Sequence, residues 1–215
     1  ILYVTLSPYL AENARNLYYA HGYANERQNV DFLAFGELLE SIHVPEGRAV
    51  TFRDFAERFG RRDPSSPVRD THKLYEEIHG VLTGAAVDRP WLSRADYQEL
   101  GVRQSIFLRE EREAVYDVFE KYLEFLRTAE LYNPNLAAYG YLDQVRPHYD
   151  FVVADEVQDL TNVQLYLALK TLRADDNFVL CGDANQIVHP NFFSWAHVKT
   201  IFYERRASGR AEIIR

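Results

Sequence analysis

An apolar run that ends abruptly in carboxylates constrains the fold of this chain most. Residues 151–154 read Phe-Val-Val-Ala, typical of a strand buried on both faces of a parallel sheet, and residues 155–159 read Asp-Glu-Val-Gln-Asp. Ligands bind at the carboxyl ends of the strands in open α/β sheets, so the acids are well placed for magnesium chemistry. Asp155 would hold the hydrated ion, usually through water, and Glu156 would orient and deprotonate an attacking water. A buried strand that ends in a solvated acidic turn is the alternative.

A second run of the same design lies one helix length downstream. Residues 177–181 read Asn-Phe-Val-Leu-Cys, and residues 182–186 read Gly-Asp-Ala-Asn-Gln. The segment between the two runs, from Thr161 to Leu172, begins with a good N-cap and has an apolar side, which predicts a helix. Strand, helix and strand then form a βαβ unit with parallel strands, so both polar ends are expected at one edge of one sheet.

Together, the two polar ends resemble the motifs of a known family. Residues 155–159 resemble the Walker B motif of UvrD/Rep-type superfamily 1 DNA helicases, and residues 182–186 resemble their third motif. The resemblance implies a RecA-like P-loop NTPase fold, ATP and Mg²⁺ as cofactors, and single-stranded DNA or a duplex junction as the partner. It implies that Asp155 holds the metal, that Glu156 is catalytic, and that Gln186 senses the γ-phosphate and links it to the DNA site. Three further motif residues are assigned to the nucleotide site: Gln158, Asp159 and Asp183.

The first residues predict a neighbouring part of the sheet. Residues 1–6 form a β-rich run, Ser7 is an N-cap before Pro8, and the helix that follows is expected to end near Gly22. The strand end resembles motif Ia of the family, whose hydroxyl residues touch the DNA backbone, and this implies DNA contacts for Thr5 and Ser7. A simple helix cap is an equal alternative for Ser7. The apolar face of the helix is expected to contain Leu10, Ala14, Leu17 and Tyr18.

Residues 30–35 predict another short strand, followed by a helix from Gly36 to Ile42. In the family, a Thr-Phe-His-type segment occupies this place and meets DNA. Residues 34–36 read Ala-Phe-Gly here, and this departure weakens any DNA contact assigned to them. We therefore expect Phe35 in the hydrophobic core.

From about Arg48 to His148 the pattern predicts helices only. A capping box at Thr51 begins a short helix that ends at Gly60, and the longest helix covers roughly residues 109–129. By position, this block matches the helical insertion of the family, called 1B. The expected domains are the first part of the RecA-like domain (1–47), the insertion (48–147) and the second part (148–215). One stripe of the longest helix contains Val115, Val118, Phe119, Tyr122 and Leu126, and its opposite, solvated face contains Glu110, Glu111, Glu113, Glu120 and Glu124.

The segment after Gln186 is unusually aromatic for a loop beside a phosphate site. Aromatic faces there could stack unpaired bases without reading their sequence. His189 falls where the family has a stacking tyrosine, and Trp195 is displaced by an inserted Pro-Asn-Phe-Phe; both are candidates for contact with nucleic acid. In the alternative, Phe192, Phe193 and Trp195 pack a following helix onto the sheet.

Composition and net charge limit the kinds of nucleic-acid site, cellular compartment and membrane contact that the sequence predicts. The net charge of −8 has the wrong sign for a surface that grips phosphates throughout, so any nucleic-acid site must be local. The single cysteine, Cys181, excludes an internal disulfide and is expected in a buried strand, which fits a reducing compartment such as the cytoplasm. No run of eighteen apolar residues predicts a membrane span.

No Gly-x-x-x-x-Gly-Lys-Ser/Thr sequence occurs in the 215 residues, and the chain contains no methionine. We therefore expect the P-loop and the second motor domain in the remainder of a longer helicase chain, which becomes an obligatory partner. Without them, these residues alone are expected neither to hydrolyse ATP nor to bind it tightly. Two other functions stay open: a non-catalytic helicase-like scaffold, and a P-loop ATPase that acts on RNA or protein.

Overall fold

A four-stranded parallel sheet lies at the centre of the protein. The computed structural model describes residues 1–60, 68–174 and 176–183. Within them, the strands are β1 (Leu2–Thr5), β2 (Asp31–Ala34), β3 (Arg48–Ala49), β4 (Leu131–Tyr132), β5 (Val152–Ala154) and β6 (Phe178–Leu180). The α-helices are α1 (Pro8–Ala20), α2 (Phe35–Ile42), α3 (Phe52–Phe59), α4 (Thr71–Glu76), α5 (Arg94–Glu99), α6 (Arg112–Thr128), α7 (Pro134–Tyr141) and α8 (Asn162–Lys170), and a π-helix, Glu77–Leu82, directly follows α4.

The strands of the central sheet run in the order β2-β1-β5-β6, and every pairing is parallel. In register, Ala154 at the end of β5 lies opposite Val4 on one side and Leu180 on the other. The parallel pairing of β5 with β6 across α8 confirms the predicted strand-helix-strand unit. The protein is thus an α/β fold with a parallel sheet and several helices, consistent with a partial RecA-like domain.

One face of the sheet is packed and the other is only partly covered. Leu2, Val4, Val152 and Ala154 are fully buried in a cluster that also includes residues of α2, α7 and α8. Alternation along the strands places Tyr3 and its neighbours on the opposite face. There, α1 contacts β1 and β2.

The predicted apolar face of α1 is confirmed at Leu10, Ala14 and Tyr18, which are partly buried, and is wrong at Leu17. Ala11 is the only buried residue among the described positions of this helix, and Leu17 is 51% exposed. Helix α1 packs against β1 and β2, and Leu17 is the one of the four side chains that this packing leaves exposed. By contrast, Phe35 is 2% exposed and confirms its predicted place in the core.

The helical segment has a hydrophobic core of its own. Phe55 of α3, Leu74 of α4 and the apolar stripe of α6 meet in this second cluster. Four residues of the predicted stripe are buried (Val115, Phe119, Tyr122 and Leu126), and Val118 packs against the cluster as a partly buried residue. The predicted stripe of the longest helix is therefore confirmed.

The expectation of helices only between Arg48 and His148 is wrong. Strand β3 pairs in parallel with β4, Arg48 opposite Leu131 and Ala49 opposite Tyr132, and this joins the start of the segment to its end. Two-residue strands carry no readable alternation, which is why the pattern did not show them. Just before β3, the backbone of Gly47 lies close to the backbone of Glu130. The φ of Gly47 is +78°, and an added Cβ would lie 2.0 Å from the carbonyl oxygen of Glu130.

The two cores do not divide at the predicted domain boundary. Ala138 and Leu142, within the residues assigned to the insertion, belong to the cluster of the central sheet. Helix α7 contacts α8 and α2. The division into domains at residues 47 and 147 stays a prediction. Within the described part of the chain, no helix combines the length and apolarity needed to cross a membrane.

Candidate functional site

The two predicted polar ends come together at the carboxyl edge of the central sheet. The Asp155 amide donates to the carbonyl of Val4 at 2.9 Å, so the acid leaves β5 beside the end of β1. The Cys181 amide donates to the carbonyl of Ala154 at 2.8 Å, and the Val157 amide donates to the carbonyl of Cys181 at 3.0 Å. These backbone bonds hold the start of residues 155–159 against residues 181–183.

The Asp155 carboxylate is fixed through both of its oxygens. Oδ1 accepts from the Glu156 amide at 3.0 Å, and Oδ2 accepts from the Tyr3 hydroxyl at 2.5 Å. Burial and the hydrogen bond to Asp155 raise the pKa of Tyr3, so the phenol keeps its proton and remains a donor. Sequence reasoning missed Tyr3; the only signal for it was a hydroxyl group within the apolar run of β1.

Glu156 projects from a strained piece of backbone. Its φ of 49° and ψ of 47° lie in the left-handed region, which costs a residue other than glycine of order 1 kcal/mol. A short 3₁₀ turn, Val157–Asp159, follows directly. Gln158 Nε2 donates to Glu156 Oε2 within this turn. The strained conformation turns the Glu156 carboxylate back towards its own loop, where an amide holds one oxygen.

Gln158 also joins Glu156 to the second polar end. Its Oε1 accepts from the Asp183 amide at 3.3 Å. Gly182 permits this approach, because an added Cβ would lie 2.6 Å from Gln158 Oε1 and 2.8 Å from Val157 Cγ2. The structure therefore brings Glu156, Gln158 and the backbone of Asp183 into one hydrogen-bonded group.

Asp159 and Cys181 lie at the exposed margin of this group. Partial burial and the negative charge of Glu156 raise the pKa of Asp159. The expectation that Cys181 lies in a buried strand is wrong: the residue follows β6 and is exposed. Among the described residues β6 pairs on one side only, with β5, and this leaves its end open. Partial burial of the thiol, together with the negative charges of Asp155 and Glu156, raises the pKa of Cys181.

The two residues predicted to touch the DNA backbone have different surroundings. Thr5 is fully buried, and its Oγ1 has no hydrogen-bond partner within the described residues. Ser7 Oγ accepts from the Leu10 amide at 3.4 Å and caps α1. The cap agrees with the simpler interpretation of Ser7, and the buried hydroxyl of Thr5 gives no support to a contact there. Both DNA contacts stay predictions.

Three predicted site residues, Gln186, His189 and Trp195, lie outside the described residues. The alternative packing of Phe192 and Phe193 falls outside them as well.

The donor set at the sheet edge fits magnesium bound with a phosphate. The described residues contain no group of three or more His, Cys, Asp or Glu side chains arranged to hold a metal ion. Magnesium does not need such a cage, because it commonly binds through one or two carboxylates, water and substrate phosphates. Asp155 and Glu156 supply two adjacent carboxylates, and Asp155 is held in place by hydrogen bonds at both oxygens.

A buried polar junction ties the helical segment to the residues that follow the site. Asn135 on α7 donates to the carbonyl of His79 at 2.6 Å and accepts from the Thr161 hydroxyl at 2.9 Å. The Val163 amide donates to the carbonyl of Gly84 at 3.2 Å. Thr161 caps α8, the helix directly after residues 155–159. The loop of the candidate site is therefore anchored from two sides, by the sheet and by the helical segment.

A sequence model of the UvrD/REP helicase N-terminal domain matches residues 95–206, more than half of the 215 residues. No curated protein matches the sequence. The matched span includes Asp155, Glu156, Gln158 and Asp183, the residues that the fold assembles at the carboxyl edge of the sheet. The protein belongs to the UvrD/REP helicase family, and these residues form part of the N-terminal domain of that family.

Proposed function

We propose that this chain is part of an ATP-dependent DNA helicase or translocase, which couples ATP hydrolysis to movement on single-stranded DNA. The observation that carries the proposal is the hydrogen-bonded group at the sheet edge. There, Asp155 and Glu156 emerge together and Gln158 joins Glu156 to the Asp183 backbone. Family membership supports a helicase, and the adjacent acids support the proposal that its ATP chemistry takes place at this sheet edge.

In this proposal the two acids have separate roles. Asp155, fixed by Tyr3 and by the Glu156 amide, would hold hydrated Mg²⁺ through water. Bound Mg²⁺ with ATP would supply neutralisation of the phosphate charge. Gln158 holds Oε2 of Glu156, which leaves Oε1 to accept a proton from the attacking water. The left-handed backbone at Glu156 fixes the direction of that carboxylate.

Gln158 also offers a route for coupling. It contacts the catalytic carboxylate with its amide nitrogen and the backbone of Asp183 with its oxygen. Hydrolysis or release of the γ-phosphate beside Glu156 would therefore be transmitted through Gln158 to Asp183, three residues before Gln186. We propose that Gln186 senses the γ-phosphate and passes its state to the DNA site, with Asp159 and Asp183 completing the nucleotide site.

The proposed partners are single-stranded DNA or a duplex junction and the remainder of the helicase chain. That remainder would contribute the P-loop and the second motor domain. With a net charge of −8, contact with DNA must be confined to a local surface, for which Thr5, Ser7, His189 and Trp195 are the proposed residues. The proposed location is the cytoplasm, where a single exposed cysteine would stay reduced.

A helicase-like scaffold without catalysis is the second candidate. The specific observation in its favour is the complete burial of Thr5, which counts against one of the proposed DNA contacts. The acidic net charge of the chain points in the same direction. A scaffold would need neither ATP hydrolysis nor its coupling to DNA binding. Measurements of ATPase activity therefore distinguish a scaffold from a motor.

The test is the ATPase rate of the complete protein with and without single-stranded DNA. We expect DNA to stimulate hydrolysis, and Gln186→Ala to lower the stimulated rate far more than it lowers DNA affinity, because the residue couples two ligands. Filter binding or fluorescence anisotropy gives the affinity. A wild-type protein without ATPase activity would favour the scaffold, and one whose ATPase does not respond to DNA would contradict a DNA motor. If Gln186→Ala lowered rate and affinity equally, the residue would be structural.

A further inference from the structure

We infer that Tyr3 is a positioning residue for the metal-holding carboxylate of Asp155. The inference rests on the proposed function, because it deepens the role given to Asp155 there. Tyr3 lies on β1 opposite Val153 of β5, two residues before Asp155. Its hydroxyl reaches along the sheet edge to Asp155 Oδ2 at 2.5 Å. A strand neighbour thus supplies a side-chain donor to the acid.

The phenol ring is itself held in place. It packs against Phe32 of β2 at a centroid distance of 5.5 Å, and Phe32 in turn packs against Tyr18 of α1 at 5.4 Å. A phenylalanine at position 3 would make the same ring contacts. The hydroxyl group is the part of Tyr3 that packing does not require.

The hydroxyl also has a fixed role as a donor. The ordinary pKa of a tyrosine phenol is about 10, well above neutral pH. The proton therefore stays on the phenol throughout the neutral range. Because an ionised carboxylate only accepts hydrogen bonds, Tyr3 and Asp155 are a matched pair.

The consequence for metal binding follows from the two hydrogen bonds of Asp155. With Oδ1 held by the Glu156 amide and Oδ2 held by Tyr3, the carboxylate cannot rotate freely. Each oxygen keeps lone-pair capacity to accept from a metal-bound water. Loss of the phenol hydroxyl would leave one hydrogen bond and free the carboxylate to turn. Losing such an outer partner typically weakens metal binding by 10- to 100-fold.

The test compares Tyr3→Phe with the wild type in the complete protein. Mn²⁺ serves as the probe, its free fraction measured by electron paramagnetic resonance in the presence of a non-hydrolysable ATP analogue. We expect Mn²⁺ to bind about 10-fold more weakly to the variant. The Mg²⁺ concentration for half-maximal ATPase should rise by a similar factor, while the rate at saturating Mg²⁺ stays near that of the wild type. Tyr3→Leu, a second variant without the hydroxyl, should give the same loss of affinity.

Tyr149→Phe is the matched control. The Tyr149 hydroxyl donates to Asp31 Oδ2 at 2.9 Å at the other end of the same sheet, so this variant removes a tyrosine–aspartate bond away from the site. It should leave Mn²⁺ affinity unchanged. Wild-type affinity in both Tyr3 variants, together with a large loss in Asp155→Asn, would overturn the role of Tyr3 alone. Unchanged affinity in Asp155→Asn would instead overturn the proposed metal role of Asp155.

Discussion

Glu77 in the helical segment and Glu156 at the sheet edge show two ways in which this protein holds a carboxylate. Glu77 is fully buried, and both of its oxygens are occupied. Oε1 accepts from the hydroxyls of Tyr97 and Ser105, and Oε2 accepts from the Ile106 amide at 2.9 Å. Burial raises the pKa of Glu77, and the nearby buried Arg112 acts against that rise.

Arg112 completes the internal arrangement. Its guanidinium donates to main-chain carbonyls, including that of Leu100 at 2.6 Å and that of Phe107 at 3.2 Å. Glu77 and Arg112 therefore both hold the loop between α5 and α6 in place. The hydrogen bonds of both side chains are made to other residues of the protein.

Glu156 has the opposite surroundings. It is half-buried, lies on left-handed backbone, and receives its side-chain hydrogen bond from Gln158 at one oxygen. The comparison teaches that burial of an acid does not mark a functional site. Glu77 is fully buried and both of its oxygens accept from internal donors, so it stabilises the fold. Glu156 lies on strained backbone and, among the described residues, one of its oxygens has no internal donor, which suits the proposed reaction.

The largest expected effect on stability is that of Glu77→Gln. The new side-chain NH₂ would face the donors of Tyr97, Ser105 or Ile106, and buried Arg112 would lose a compensating charge. We expect the free energy of unfolding to fall by about 3 kcal/mol. Chemical denaturation measures it. Glu110→Gln, at an exposed glutamate, is the control and should change stability by less than about 0.5 kcal/mol. A loss below about 1 kcal/mol for Glu77→Gln would contradict a structural role.

Gly182→Ala should break the link between Glu156 and the second polar end. The new Cβ would meet Gln158 Oε1 and Val157 Cγ2 at distances that require one of them to move. Overpacking of this kind typically costs about 1–3 kcal/mol, and ATPase activity should fall because Gln158 no longer holds Glu156. Gly140→Ala on α7 is the matched control: its Cβ would meet nothing within 4 Å. That variant should keep its stability or gain about 0.5–1 kcal/mol. Equal stability of the two variants would contradict the close approach at Gly182.

A smaller effect concerns the thiol at the margin of the site. Because the pKa of Cys181 is raised by burial, Asp155 and Glu156, its thiolate fraction at pH 8 is smaller than that of an ordinary cysteine. Iodoacetamide should therefore react slowly, and the pH midpoint of the reaction should lie above that of a small thiol. Glu156→Gln removes one negative charge and should move the midpoint to lower pH. Cys181 is the only cysteine in these 215 residues, so labelling of the peptide that contains it, followed by mass spectrometry, reports on this site. A midpoint unaffected by Glu156→Gln would place the thiol away from the carboxylate.

The parts of the fold that follow from local pattern were predictable from sequence. The apolar runs before Asp155 and Gly182 gave β5 and β6, and a good N-cap at Thr161 gave α8. The shared sheet edge followed from the topology of parallel strands. Membership of the helicase family was also predictable, because motif residues lie at these strand ends.

The remaining features depend on contacts between distant parts of the chain. Tyr3 is separated from Asp155 by 152 residues, and a tyrosine within a β-rich run resembles an ordinary core residue. The β3–β4 pair is too short to show a period. The donors around Glu77 come from positions 20 to 29 residues away, and a glutamate in a helical pattern is usually solvated. Exposure of Cys181 depended on the position of β6 in the sheet, which the strand pattern does not fix.

The most direct test of the account measures ATP hydrolysis and thermal unfolding in the same two variants of the complete protein, Glu156→Gln and Glu77→Gln. We predict that Glu156→Gln lowers steady-state hydrolysis by at least about 100-fold, as expected for loss of a general base, and retains ATP binding and the wild-type unfolding temperature. Glu77→Gln should lower the unfolding temperature and, below that temperature, hydrolyse ATP at close to the wild-type rate. Near-normal turnover in Glu156→Gln would contradict the central claim that its carboxylate activates the attacking water.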